Sequence, residues 1–218
     1  MNDVTFVIPV FKIEKKRLRN FFFVLSRIME SKCKIVIVEQ ESDNQLEKIE
    51  LNNVDHVIVE SNKDVIEKSK LINWSLNLIN TEYVWVNDVD LWLPFDKIIK
   101  KTNFNSIAIK PFEYFSCLNN EESENFISRK KVMVDPHIHE SISNFGAGSF
   151  IVNSSILNDN KFNEDFIGWG YEDIEWEERI RKLFLIYELP YVGVHLYHDK
   201  NHKNRKCNKA VYEKLHNS

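Results

Sequence analysis

Three short stretches of the chain hold residues whose types and spacing could do chemistry. Asp88-Val89-Asp90 sets two carboxylates one residue apart, directly after the apolar run Tyr83-Val84-Trp85-Val86. Two such groups at a strand end can divide the work, one binding a divalent cation and the other a neighbouring ligand. A cation of that kind neutralises the charge that develops when a diphosphate leaves. His195-Leu196-Tyr197-His198 places two imidazoles at i and i+3, on one face if that turn is helical. Oxygen ligands suit Mg²⁺ or Mn²⁺, and added imidazole moves the preference toward Mn²⁺. Gly168-Trp169-Gly170-Tyr171-Glu172-Asp173 puts a tryptophan between glycines, ahead of two carboxylates. An indole can cover an apolar sugar face, and a carboxylate beside it can take a hydroxyl proton as general base. Another histidine pair, His137-Ile138-His139, reads mostly as loop. Each stretch also has a plain structural reading: aspartates that start a turn, surface histidines, and an acidic helix start favoured by the helix dipole.

Strands must hold these residues in place. Buried strands are expected at Val4–Ile8 (ended by Pro9), Lys34–Val38, His56–Glu60 and Tyr83–Val86, since each is an apolar, β-branched run. Leu18, Phe21, Phe22, Leu25, Ile28 and Met29 form one face of a helix, and Val65, Ser69, Ile72, Leu76 and Ile79 form another. This order predicts an α/β fold, with a mostly parallel central sheet and helices on both faces. Ligands of such sheets bind at the carboxyl ends of the strands, where Pro9-Val10-Phe11 and Asp88-Val89-Asp90 fall. Further strands are expected at Ser106–Lys110 and Phe150–Val152, and a helix at Asp173–Leu183, acidic at its start and basic at its end. Residues 113–142 read as a long loop or small excursion, and Asp199–Lys209 as a mobile tail rich in Lys, Asn and His. Gly146, Gly148, Gly168 and Gly170 mark tight turns or close backbone approach to a ligand.

Composition narrows the class. A net charge of -4 argues against a general nucleic-acid binder. The 3 cysteines fit neither a zinc pattern nor a disulfide framework, so a reducing compartment is expected. The start of the chain enters a strand-like run without a signal-peptide pattern, and no apolar run nears the ~18–20 residues that span a bilayer. A cytoplasmic protein of a bacterial or virus-infected cell is expected, with peripheral attachment to a membrane left open.

Taken together, the motifs resemble the β-1,4-galactosyltransferase family and its bacterial relatives, including chondroitin-polymerase-like domains. Phe6-Val7-Ile8-Pro9-Val10-Phe11 is similar to the family's first strand and Ile-Pro-Phe turn. Ser69-Lys70-Leu71-Ile72-Asn73 is similar to its Ala-Lys-Leu-Leu-Asn helix. Asn87-Asp88-Val89-Asp90-Leu91-Trp92-Leu93-Pro94 resembles Ser-Asp-Val-Asp-Leu-Ile-Pro, and Asn144-Phe145-Gly146-Ala147 resembles Tyr-Phe-Gly-Gly. Gly168 to Asp173 resembles Gly-Trp-Gly-Gly-Glu-Asp, and His198-Asp199-Lys200-Asn201 resembles the basic stretch that follows. The six motifs cover nearly the whole chain in the family's order.

The resemblance implies a GT-A fold and a metal-dependent, inverting glycosyltransferase using a UDP-sugar and Mn²⁺ (or Mg²⁺), with a glycan or glycolipid acceptor. It implies one domain over 1–218, with a nucleotide-binding half to about residue 100 and an acceptor and catalytic half beyond. Asp90, His195 and His198 would hold the metal, His195 standing where many animal members have methionine. Pro9, Val10, Phe11, Lys70, Asp88, Val89 and Trp169 would contact the donor. Asp173 would be the catalytic base. Glu172, Asn144, Gly146 and Ile174 would lie at the sugars. Ile174 replaces an acceptor-binding Asp, and Asn144 replaces a Tyr that limits donor size, so an N-acetylhexosamine donor is open. The stretch near Lys200 and Lys203 would close over the diphosphate. A retaining transferase, a nucleotidyltransferase and a non-catalytic carbohydrate-binding module remain as other readings.

Overall fold

The computed structural model describes residues 3–42, 46–102, 104, 107–129, 140–141, 148–199 and 204–216. The elements run β1 (Val4–Val10), α1 (Lys15–Met29), β2 (Lys34–Gln40), β3 (Val54–Val59), α2 (Lys68–Ser75), β4 (Tyr83–Asn87), β5 (Leu91–Trp92) and α3 (Phe95–Lys101). They continue with β6 (Ala108–Lys110), β7 (Tyr114–Cys117), α4 (Asn120–Arg129), β8 (Glu140–Ser141), β9 (Ser149–Asn153), α5 (Ser154–Asp159), α6 (Glu172–Leu183), β10 (Ile186–Glu188), β11 (Val192–His195) and α7 (Arg205–His216).

Seven strands form the main sheet in the order β10-β6-β9-β4-β1-β2-β3. All its pairings are parallel except those of β9, which runs against β4 and β6. Alternation along each strand builds two cores. Phe6, Ile8, Ile35, Ile37, Tyr83 and Trp85 face one side, against Phe21, Leu25 and Ile28 of α1 and Phe95 and Ile98 of α3. Val7, Val36, Val38, Val84 and Val86 face the other, against Leu71 and Ile72 of α2 and Trp176 and Ile180 of α6. A smaller sheet, β5-β11-β7-β8, closes on the first core through Leu91, Phe115 and Val194.

Several expectations are corrected. Pro9 does not end β1, which runs on to Val10; the partner β4 stops at Val7, and a strand paired on one side only tolerates proline. The helix expected from Val65 starts at Lys68. The buried Gln40 amide donates to the Lys63 and Val65 carbonyls at 3.2 and 3.0 Å and accepts from Glu67 N–H at 2.7 Å, which holds that stretch as a loop. The helix ends at Ser75, followed by a 3₁₀ turn over Leu76–Leu78. Within 113–142, read as a long loop or small excursion, β7 and β8 join the small sheet, and α4 opens on a capping box. There Asn119 Oδ1 accepts from Glu122 N–H at 3.0 Å and Glu122 Oε2 from Asn119 N–H at 2.7 Å. The strand expected from Ser106 begins at Ala108. The supposed mobile tail includes Arg205 to Lys209, the start of a docked helix, α7, tied to α6 where Tyr212 and His216 both bond Glu178 at 2.6 Å.

Trp85 joins the two layers of the first core. It is fully buried, stacks on Phe6 at 4.6 Å, packs on Phe95 at 5.4 Å and donates its indole N–H to Ser149 Oγ at 2.9 Å. Trp85→Ala is expected to lower the unfolding free energy by about 3–5 kcal/mol with an unchanged urea m-value, measured by chemical denaturation.

Candidate active site

Asp88 and Asp90 follow β4 directly, at the carboxyl end of the parallel strands. Because β9 is antiparallel, its amino end arrives at the same place, and Asp88 N–H bonds the Gly148 carbonyl at 2.9 Å. Gly148 has φ +74, and a Cβ there would stand 2.0 Å from Asp88 Oδ2, so only glycine lets β9 pass this carboxylate.

Asp90 is 1% exposed. The antiparallel pairing of β11 with β5 sets His195 across from Leu91, and Leu196 N–H bonds the Asp90 carbonyl at 2.8 Å. His195 Nε2 lies 3.6 Å from Asp90 Oδ1, and His198 Nε2 lies 3.3 Å from Oδ2. The turn between the histidines is not helical, contrary to the i, i+3 condition. Leu196 instead plugs the core and Tyr197 N–H bonds Ser123 Oγ at 2.8 Å, which leaves both rings on the Asp90 side. Burial pushes the Asp90 carboxyl up, but Arg17, His195 and His198 together pull it down to about 2. Burial lowers the His195 pKa, which favours the neutral ring that a metal needs.

This triad fits a divalent ion. One ligand atom from each residue lies within 4.8 Å of the others, a spread compatible with metal–ligand bonds of about 2.0–2.2 Å. His198 Nδ1 is 3.0 Å from the Asp199 carbonyl, which can only accept, so Nδ1 carries the proton. In the neutral ring Nε2 then turns a lone pair toward a carboxylate oxygen, and a cation between the two relieves that repulsion.

A second cluster adjoins through Asp88. Lys68 Nζ, on the first residue of α2, lies 3.0 Å from Asp88 Oδ1, 3.1 Å from Asp173 Oδ2 and 3.7 Å from Glu172 Oε1. Burial works against the charged Lys68, but the three carboxylates raise its pKa well above the ordinary lysine value. Burial, with Glu172 and Asp88 nearby, raises Asp173 to about 8 against the pull of Lys68. Burial likewise raises Glu172. Asp173 Oδ1 and Glu172 Oε2 are buried and have no hydrogen-bond partner among the described residues. Buried acceptors left open in this way suit hydroxyl donors from a ligand.

The loop before α6 is set by its backbone. Gly168, Gly170 and Tyr171 all have positive φ, at 91, 90 and 76. Asn208 of α7 clamps it, accepting from Ile167 N–H at 3.2 Å and donating to the Gly170 carbonyl at 2.9 Å. Trp169 is 44% exposed, with the Arg205 guanidinium 4.8 Å from its ring centre.

Of the expected residues, the fold thus gathers Asp90, His195 and His198 in one cluster and Asp88, Glu172 and Asp173 in the next. Pro9 and Val10 are buried in β1, Val89 is buried between the two aspartates, and Phe11 is half-buried beyond β1. Ile174 is half-buried on α6. Lys70 does not face the clusters: it donates to the Glu60 carbonyl at 2.9 Å and pairs with Glu67 at 3.7 Å. Two residues apart on a helix means nearly opposite sides, and Lys68 holds the inner one. Asn144, Gly146, His137, His139, Lys200 and Lys203 lie outside the described residues. Arg17, Lys68 and Asn208 went unread in the sequence.

By sequence the chain matches no family profile and no curated protein. By structure it is similar to residues 1–349 of S. aureus TarS in complex with UDP-GlcNAc, with a TM-score of 0.59 at 14% identity over 93% of this chain and 60% of that one. It is also similar to a mutant of Drosophila β-1,4-galactosyltransferase 7 in complex with manganese, UDP-Gal and xylobiose. That match has a TM-score of 0.52 at 13% identity, over 94% of this chain and 79% of that one. The chain has the GT-A fold. GalNAc-T7 with UDP, GalNAc and Mn²⁺ is a further GT-A neighbour, at TM-score 0.54 and 12% identity over 90% of this chain and 43% of that one. This GT-A chain spans about three fifths (60%) of the TarS fragment.

The raised Asp173 pKa has a sign that can be measured. Its folded value, about 8, exceeds the ordinary 3.8, so its contribution to stability is fullest in acid and is lost as pH rises through that interval. Asp173→Asn should therefore gain stability relative to wild type as pH rises from 5 to about 8, followed by urea denaturation at each pH.

Proposed function

We propose that the chain is a metal-dependent, inverting glycosyltransferase that moves a hexose or N-acetylhexosamine from a UDP-sugar to a hydroxyl of a glycan or glycolipid. One observation carries the reading: at the carboxyl end of a GT-A sheet, buried Asp90 and half-buried His195 and His198 form a triad that adjoins a buried carboxyl with an open oxygen, Asp173. The ligands named for the structural neighbours support the donor class, since they are UDP-GlcNAc, UDP-Gal with manganese, and UDP with GalNAc and Mn²⁺.

Asp90, His195 and His198 would hold Mn²⁺ (or Mg²⁺), which when bound neutralises charge on the leaving diphosphate. Pro9, Val10, Phe11, Asp88 and Val89 border the same strand ends and would receive the nucleotide. Asp173 would take the proton of the attacking hydroxyl; its raised pKa makes it a stronger base once ionised. Lys68 holds that carboxylate in place from its second oxygen. Glu172 Oε2 would accept from a sugar hydroxyl, and Trp169 would cover the donor from the exposed loop. One base acting on the acceptor hydroxyl would correspond to a single displacement with inversion. Asn144, Gly146 and Ile174 keep their proposed place at the sugars. Among the described residues no helix is long and apolar enough to cross a membrane.

UDP release from a panel of UDP-sugars, with and without Mn²⁺, tests the reading. One sugar should support Mn²⁺-dependent release that Asp90→Ala abolishes. Asp173→Asn should keep UDP binding but slow transfer by about 10²-fold or more. An inverted anomeric centre in the product, read by NMR, is expected. Silence from every UDP-sugar, without Mn²⁺-dependent UDP binding, would sink the proposal.

A further inference from the structure

We propose that Arg17 is a place-holding cation: it neutralises Asp90 while the metal is absent and moves to the donor diphosphate when the metal binds. The inference rests on the metal-dependent reading above. Asp90 is 1% exposed, and a buried carboxylate without a counter-charge is costly. Among the described residues Arg17 is the one permanent cation on it, with Nε 2.9 Å from Oδ2. His195 and His198 carry charge only when protonated, and a metal needs them neutral.

Oδ2 is also the oxygen that faces His198 Nε2 at 3.3 Å. The guanidinium and a metal ion would therefore bind the same carboxylate edge. A unit charge within a few ångströms of a divalent ion repels it, and strongly at a buried site. Arg17 thus weakens metal binding as long as it stays on Asp90.

It also has somewhere to go. Its side chain is 33% exposed, and its remaining guanidinium donors have no partner among the described residues. It stands in the first turn of α1, a 15-residue helix that starts just past the end of β1. Diphosphate bound beside the metal would offer those donors paired oxygens, the geometry a guanidinium fits best. Metal and nucleotide then favour each other through one side chain, and the coupling is reciprocal.

Mn²⁺ affinity without nucleotide, from the electron paramagnetic resonance of free Mn²⁺, tests the idea in the full chain. So does UDP affinity with and without Mn²⁺, from calorimetry. Arg17→Gln should bind Mn²⁺ alone on the order of tenfold more tightly than wild type. The Mn²⁺ enhancement of its UDP affinity should shrink by a similar factor. Arg17→Lys, which keeps the charge, should bind Mn²⁺ alone as weakly as wild type does. An Arg17 that merely orients Asp90 predicts the opposite sign, a looser metal in Arg17→Gln. That result, an unchanged affinity, or equal tightening in both variants would overturn the place-holding role. Absence of Mn²⁺ binding in wild type even with UDP would instead remove the metal-dependent reading, and this inference with it.

Discussion

Four carboxylates, from Asp88, Asp90, Glu172 and Asp173, meet at one end of the sheet, and three of them are less than a tenth exposed. Like charges packed away from water repel one another and lose their hydration. The structure answers with two cations brought from different helices. Lys68 of α2 lies among Asp88, Glu172 and Asp173, and Arg17 of α1 lies on Asp90. Much of the architecture serves these two placements. Helix α2 starts where it does because Gln40 ties down the loop before it, and α1 leaves β1 with Arg17 in its first turn.

The two clusters differ in how their charge is resolved. At Asp90 the cations win, and the carboxyl is held near 2. At Asp173 burial and neighbouring acids win, and the carboxyl rises to about 8. One end of one sheet thus holds a carboxylate kept ionised, as a metal ligand must be, and another ready to exchange a proton. Two chemically identical side chains are driven to opposite behaviour by their surroundings, one by the cations beside it and the other by burial among further acids.

The strands and the Asp-Val-Asp motif were legible because buried parallel strands leave unbroken apolar runs, and their carboxyl ends can be read from where the runs stop. The histidine pair was legible as a pair, but its geometry was not. The spacing suggested a helical turn, whereas a strand pairing through Leu91 and a buried Leu196 supply the convergence. Lys68 was hidden by Lys70, since nothing local says which of two lysines faces inward until the start of α2 is known. Arg17 reads as one more charge on a polar helix face, and its partner lies 73 positions away. Helix α4 had a visible signal, the Asn119-to-Glu122 capping box, which a polar composition masked. Helix α7 was obscured in the same way, and its buried Asn208 draws its meaning only from the loop it holds.

That loop includes an unusual residue. Tyr171 occupies the left-handed region, where the resembling pattern has glycine, and a side chain there costs about 1–2 kcal/mol. In return its ring lies 5.4 Å from that of Tyr212 on α7. A tyrosine also leaves the unfolded chain fewer conformations to lose than a glycine would. Native strain and unfolded-state entropy therefore pull the balance in opposite directions at this one position. The chain gives up the pivot that glycine would provide and gains an aromatic link between the loop and α7, so the freedom of the tryptophan loop is set jointly by a backbone angle and by a helix more than thirty residues downstream.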